Sequence, residues 1–190
     1  MSIKIIPNYS PNFDPKKRSL DEIYFITFHY TGMKDEKKAV DKLLDAKSKV
    51  SCHYFIKNNG EILRMVPDSY IAWHAGVSSW KKYKSLNKNS IGIEISNPGH
   101  EFKYKKFSKI QINSVIKLTR HLIKKHNIVS HFILGHSDIA PDRKKDPGEK
   151  FPWQFLSKHK IGIWHNLNLK KIKKDRSLKI NHLLKLKFIN

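Results

Sequence analysis

The run Ile23-Tyr24-Phe25-Ile26-Thr27-Phe28-His29-Tyr30 constrains this chain more than any other stretch. It is apolar on both faces and dense in β-formers, the pattern of a central strand covered on both sides rather than one with a wet face. Helical patterns are at hand to cover it. Ala39, Val40, Leu43, Leu44 and Ala46 recur at helical spacing across 35–49. Ile112, Val115, Ile116, Leu118, Leu122 and Ile123 do so across 108–127, where Ser108 is placed to cap the helix start. Two strands, Ser51–Lys57 and Glu61–Val66, flank Asn58-Asn59-Gly60, whose residues tolerate positive φ, so they read as an antiparallel hairpin. Ser90–Ser96 alternates, turning Ile91, Ile93 and Ile95 to the core and Gly92 and Glu94 to the other side.

At 190 residues the chain has room for one domain with a full core and not for two of ordinary size. Residues 1–22, with Pro7, Pro11 and Pro15, read as an extended arm lying across that domain. The domain itself runs over 23–164 and ends with a short helix to about Lys158 and with Ile161-Gly162-Ile163-Trp164, whose apolar residues are expected to return to the core. The longest irregular stretch, Pro67–Asn89, keeps Trp73, Trp80 and Tyr83, which suits a binding surface better than a spacer. Beyond it all lies a basic tail, 165–190. It reads either as an amphipathic helix for an anionic wall or membrane surface or as a covering segment of the same domain.

The formal charge is +22, from 38 Lys and Arg against 16 Asp and Glu. Such an excess suits nucleic acid, anionic lipid or an acidic wall polymer alike. The tail holds only eight of the cations and one acid, so the basicity is general and is equally the mark of a solvated lysine surface. No zinc-finger, RNP or helix-turn-helix pattern supports specific nucleic-acid binding. A single cysteine, Cys52, excludes an internal disulfide, and the N-terminus lacks the apolar stretch of a secretory signal. As written the chain reads as cytoplasmic, with a periplasmic or wall location open to export or processing. No apolar run approaches the ~18 residues of a membrane-spanning helix. A monomer is expected.

Chemistry concentrates in residues 135–148, Gly-His-Ser-Asp-Ile-Ala-Pro-Asp-Arg-Lys-Lys-Asp-Pro-Gly. The apolar Phe132-Ile133-Leu134 reads as a buried strand that delivers His136 to the start of a loop, and Pro141, Pro147 and Gly148 fix turns in it. His136 and Asp146, together with the strand histidine His29, make a possible three-ligand zinc site with its fourth position open to water. Each has a plainer reading: His29 as a hydrogen-bonded structural histidine, Asp146 as a turn aspartate, Glu94 as a carboxylate on a solvent face. His100, His126, His159 and His182 are expected as surface histidines, and His53 as a structural one. Metal-assisted amide hydrolysis needs these types together. Zinc with one anionic ligand can polarise a carbonyl and lower the pKa of bound water to about 7. Glu94 can move the proton, and Lys144 can face the developing oxyanion.

The motifs Phe28-His29-Tyr30-Thr31-Gly32, Val50-Ser51-Cys52-His53-Tyr54, Ala72-Trp73-His74-Ala75-Gly76, Ser90-Ile91-Gly92-Ile93-Glu94 and residues 135–148 occur in this order between about Ile23 and Trp164. In this the sequence resembles the zinc-dependent N-acetylmuramoyl-L-alanine amidases of the amidase-2 type, whose fold is shared with phage lysozyme-like amidases and peptidoglycan recognition proteins. The resemblance implies an α/β domain, a central mixed sheet flanked by helices, with zinc in a groove on the sheet. It implies zinc on His29, His136 and Asp146, catalysis by Glu94 and Lys144, and Trp73 and His74 beside the groove for a peptidoglycan or muropeptide substrate. Some relatives carry a tyrosine where this chain has Cys52, and a thiol is the poorer donor. The rival from another class is a non-catalytic peptidoglycan-binding module on the same fold.

Overall fold

The computed structural model describes residues 3–165. The tail beyond His165, with His182, lies outside the described residues. Among the described residues ten strands occur in chain order: β1 Ile6–Pro7, β2 Phe13–Asp14, β3 Phe25–Tyr30, β4 Tyr54–Ile56, β5 Ile62–Arg64, β6 Ile71–Ala72, β7 Ser79–Trp80, β8 Tyr83–Lys84, β9 Ser90–Ile95 and β10 Ile133–Gly135. Four helices accompany them: α1 Glu36–Leu44, α2 Lys109–His126, α3 His136–Ile139 and α4 Trp153–Lys158. Six strands form the central sheet in the order β1-β5-β4-β9-β3-β10. Only the β4–β5 pair in it is antiparallel. The sheet is thus mixed, and the hairpin expected around Gly60 is that pair, its turn resting on Gly60 at φ +84°.

The two faces of the sheet differ, and the difference makes the site. On one face Ile26, Phe28, Tyr54, Ile56, Ile91, Ile93 and Ile95 pack against Ile112, Val115, Ile116, Leu118 and Leu122 of α2 in the main core. Full burial of each such side chain contributes roughly 1.5–3 kcal/mol. Ser108 accepts from the Gln111 backbone N–H at 3.2 Å while Gln111 accepts from Ser108 N–H at 3.1 Å, a capping box that starts α2 where the sequence placed it. The opposite face holds two smaller apolar clusters. One lies under α1 around Phe55, Leu63 and Met65, and the other joins Phe25, Leu86, Leu134 and Ile139. The residues of β9 that point to this face are Ser90, Gly92 and Glu94, so the apolar filling is interrupted there.

The N-terminal segment is bound into the fold. β1 pairs with β5 at the sheet edge and β2 with β6. Asn12 Nδ2 donates to the carbonyls of Asp45 (2.9 Å) and Val50 (3.0 Å). Arg18 is buried, donates to the carbonyls of Asp68, Lys88 and Ser90, and is lowered by that burial to about 10. Three expectations need correction. Residues 135–148 are not loop throughout: one helical turn, α3, follows β10 directly, because the Asp138 carboxylate accepts the Gly135 N–H at 2.8 Å. Ile161 returns to the core, but Ile163 and Trp164 are exposed.

The third correction is His126, which is no surface histidine. Its side chain is 1% exposed and its Nε2 lies 2.8 Å from Asp68. Asp68, itself buried, also accepts from Tyr54 Oη and from Lys125 Nζ, each at 2.7 Å. This carboxylate ties the end of α2 and the sheet to the segment after β5. Asp68→Ala strands a phenol, an ammonium and an imidazole at once, and is expected to cost about 3 kcal/mol, read as a lowered midpoint in urea unfolding with unchanged slope. An unaltered midpoint would show that the cluster carries no net stability.

Candidate metal centre

Parallel pairing builds the centre. Gly135 of β10 is in register with Phe28 of β3, so His136, one residue on, comes beside His29 at the end of β3. On the other side of β3, His29 is in register with Glu94 of β9. Asp146 is brought back by the loop, where its carbonyl accepts the Ser137 N–H at 2.8 Å. Tyr104 Oη holds the next residue, donating to the Pro147 carbonyl at 2.6 Å while accepting the Lys150 N–H at 3.1 Å.

His29 Nδ1, His136 Nδ1 and Asp146 Oδ2 then lie 2.9 to 3.0 Å from one another. All three residues are buried, and together they form a group able to hold a metal ion. The donor chemistry fits one. His136 gives its Nε2–H to the Ala75 carbonyl at 3.1 Å, the arrangement in which a ligating imidazole turns the lone pair of its Nδ1 to the ion, here beside the Asp146 carboxylate oxygen. Two such acceptors 3.0 Å apart repel unless a cation lies between them. Burial, and then the neighbouring His136, push His29 down to about 4, which keeps the ring neutral and fit to ligate at neutral pH.

These atoms open into a cavity of about 420 Å³ that also takes in Trp73, His74, Glu94 and Lys144. All seven residues singled out from the sequence therefore meet in one place. Glu94 is no solvent-face residue. Among the described residues its buried Oε2 has no hydrogen-bond partner, and burial, with the Asp146 charge adding to it and Lys144 opposing, raises the carboxyl to about 8. Lys144 lies close enough for its charge to act on both Glu94 and His29. Cys52 is fully buried in the cluster under α1, and its thiol is pushed up by burial and then by Glu94. His53 is structural: Nδ1 accepts the Gly92 N–H at 3.0 Å and Nε2 faces the Tyr70 carbonyl at 3.1 Å.

Sequence reasoning left several supports unseen. His74 does not stand free at the groove wall, because its Nδ1 lies 3.0 Å from His29 Nε2 and its Nε2 3.1 Å from Ser90 Oγ. Gly92 makes room for it: a Cβ there would sit 2.3 Å from His74 Cγ. A glycine inside a strand signals such close approach, but nothing in the sequence says what approaches. Arg143 clasps the opposite rim through the carbonyls of Ala75 and Val77.

A mixed sheet that carries two histidines, an aspartate and a further carboxylate into one groove defines an α/β protein with a candidate metal site. Residues 19–149 match the family model described as N-acetylmuramoyl-L-alanine amidase, and the chain belongs to that family, Amidase_2. It is 38% identical over 154 residues to the N-acetylmuramoyl-L-alanine amidase AmiD of Escherichia coli K12, covering 75% of this chain and 55% of AmiD. It is 39% identical over 108 residues to the 1,6-anhydro-N-acetylmuramyl-L-alanine amidase AmpD of the same organism, covering 57% of each. The chain thus spans little more than half the length of these curated relatives. Among solved structures, that of E. coli AmiD with the substrate anhydro-N-acetylmuramic acid-L-Ala-D-γ-Glu-L-Lys superposes with a TM-score of 0.73 at 34% identity, over 87% of this chain and 70% of AmiD. Among the described residues no helix is long and apolar enough to cross a membrane.

Proposed function

We propose that this chain is a zinc-dependent amidase that cleaves the bond between the lactyl carbonyl of N-acetylmuramic acid and L-alanine in peptidoglycan or its muropeptides. One observation carries the reading: Glu94, whose buried Oε2 has no hydrogen-bond partner among the described residues, shares a cavity with three converging ligand atoms. His29, His136 and Asp146 would hold the zinc. When bound, zinc supplies a Lewis acid for the scissile carbonyl and acidifies water. Glu94 takes the water proton and passes it to the leaving nitrogen, a task for which a carboxyl held near neutrality is suited. Lys144 sets its ammonium against the charge that grows on the carbonyl oxygen. The indole of Trp73, on the cavity wall, packs on a sugar or peptide face.

The substrate held by AmiD supports a muropeptide with a 1,6-anhydro end as the first compound to try. The purified protein is expected to release stem peptide from anhydro-N-acetylmuramyl tripeptide, from intact sacculi, or from both, with mass spectrometry resolving the products. Chelator should stop the release and zinc restore it. Binding of these ligands without any release would return the chain to the class of recognition modules.

A further inference from the structure

We propose that Ser90 is a positioning residue for the metal centre: its hydroxyl fixes the tautomer of His74, and His74 fixes that of His29, so that His29 Nδ1 meets the metal as a bare lone pair. The inference rests on the metal assignment made under the proposed function and adds how the site is kept ready for the ion.

The hydrogen-bond chain starts at a group that can only accept. The Leu86 carbonyl lies 2.6 Å from Ser90 Oγ, and the single hydroxyl hydrogen of Ser90 is committed to it. Ser90 Oγ must then accept from His74 Nε2 at 3.1 Å. As a neutral imidazole His74 carries a single ring hydrogen. Its one ring hydrogen is on Nε2, and Nδ1 is bare. Across the 3.0 Å contact the bare Nδ1 accepts, so His29 carries its own hydrogen on Nε2. His29 Nδ1 is left bare in turn, 2.9 Å from His136 Nδ1 and 3.0 Å from Asp146 Oδ2.

The alternative tautomer shows what the relay prevents. With its hydrogen on Nδ1, His29 would donate to Asp146 and satisfy both ligands without an ion. Metal binding would then have to break that bond and move the hydrogen to Nε2. The position of Ser90 excludes this state, and it does so from a residue that is fully buried and two places along β9 from the glycine that gives His74 its room. His136 reaches the same tautomer by a separate route through Ala75. Ordering of a ligating imidazole by the partner of its other nitrogen is general in metal sites, and loss of such a partner commonly weakens metal binding 10–100-fold.

The test begins with the full-length wild type. Long-range ¹H–¹⁵N spectra of the histidine rings, in metal-free and zinc-loaded protein, are expected to show His29, His74 and His136 all protonated on Nε2. His29 protonated on Nδ1 in the metal-free protein overturns the proposal, and that reading needs no variant to fold. Zinc affinity, measured by competition with a chromophoric chelator, should fall about tenfold in Ser90→Ala, the low end of the range for outer partners. It should return in Ser90→Thr, which keeps the hydroxyl. His74→Phe, which keeps a ring but offers no acceptor, should fall further. A folded Ser90→Ala that binds zinc as the wild type does would refute the relay. Wild type that holds no zinc would instead sink the proposed function, while the ring spectra still decide the tautomers.

Discussion

Glu94→Gln is expected to keep the fold, keep zinc and lose about 10²- to 10⁴-fold in turnover, because Gln preserves the shape of the side chain but cannot take up a proton. The same change should stabilise the metal-free protein at alkaline pH. The Glu94 carboxyl is raised from its ordinary 4.5 to about 8, first by burial and then by Asp146. Between those values the unfolded chain has released the proton while the folded one retains it. Folding stability therefore falls as pH rises through this window, and it levels off above it. Gln does not titrate, so its advantage should grow from about pH 5 to pH 8 and reach the order of a few kcal/mol. Thermal unfolding of both proteins across that range, together with steady-state kinetics, measures the two effects. Loss of zinc from Glu94→Gln would make Glu94 a ligand, and a stability difference flat with pH would mean that the carboxyl is not held protonated. A carboxyl raised in this way is maintained at a cost to the fold.

What could be seen beforehand follows the range of the interactions. The apolar run ending at His29, the capping box at Ser108 and Gln111 and the Asn58-Asn59-Gly60 turn are local, and each forms where its residues stand. The residues proposed to hold the metal, and Glu94 beside them, were legible as candidates because amide chemistry calls for those types and the motifs that carry the resemblance hold them in order. The supports were not. His74 and Ser90 are 16 positions apart and meet only because β9 lies beside the segment carrying His74. Asp68 and His126 are 58 apart, and their contact requires α2 to be laid along the sheet first. A histidine on the polar side of a helix end looks the same in sequence whether water or a buried carboxylate receives it. The turn at His136 was missed for a subtler reason. Prolines at 141 and 147 limit a helix without forbidding one that ends at Ile139.

Removing Asp146 should have the largest effect on the metal. Asp146→Ala takes away the one anionic ligand and leaves two neutral imidazoles, so zinc affinity is expected to fall by more than the 10–100-fold that loss of an outer partner brings. The loop should nevertheless stay in place. It is held by the Asp146 carbonyl, which accepts from Ser137, and by Tyr104 on Pro147, none of which involves the lost carboxylate. Thermal unfolding separates the two. Zinc at about 100 times its dissociation constant stabilises a protein that binds it only when folded by about 2.7 kcal/mol. Wild type and Glu94→Gln should show a rise in melting temperature with zinc, and Asp146→Ala should show none at the same concentration. The predicted order of zinc affinity is wild type and Glu94→Gln together, then Ser90→Ala, then His74→Phe, with Asp146→Ala last. An Asp146→Ala protein that still gains the full rise would move the ion to other ligands, since no arrangement of His29 and His136 alone replaces the charge that Asp146 brings to it.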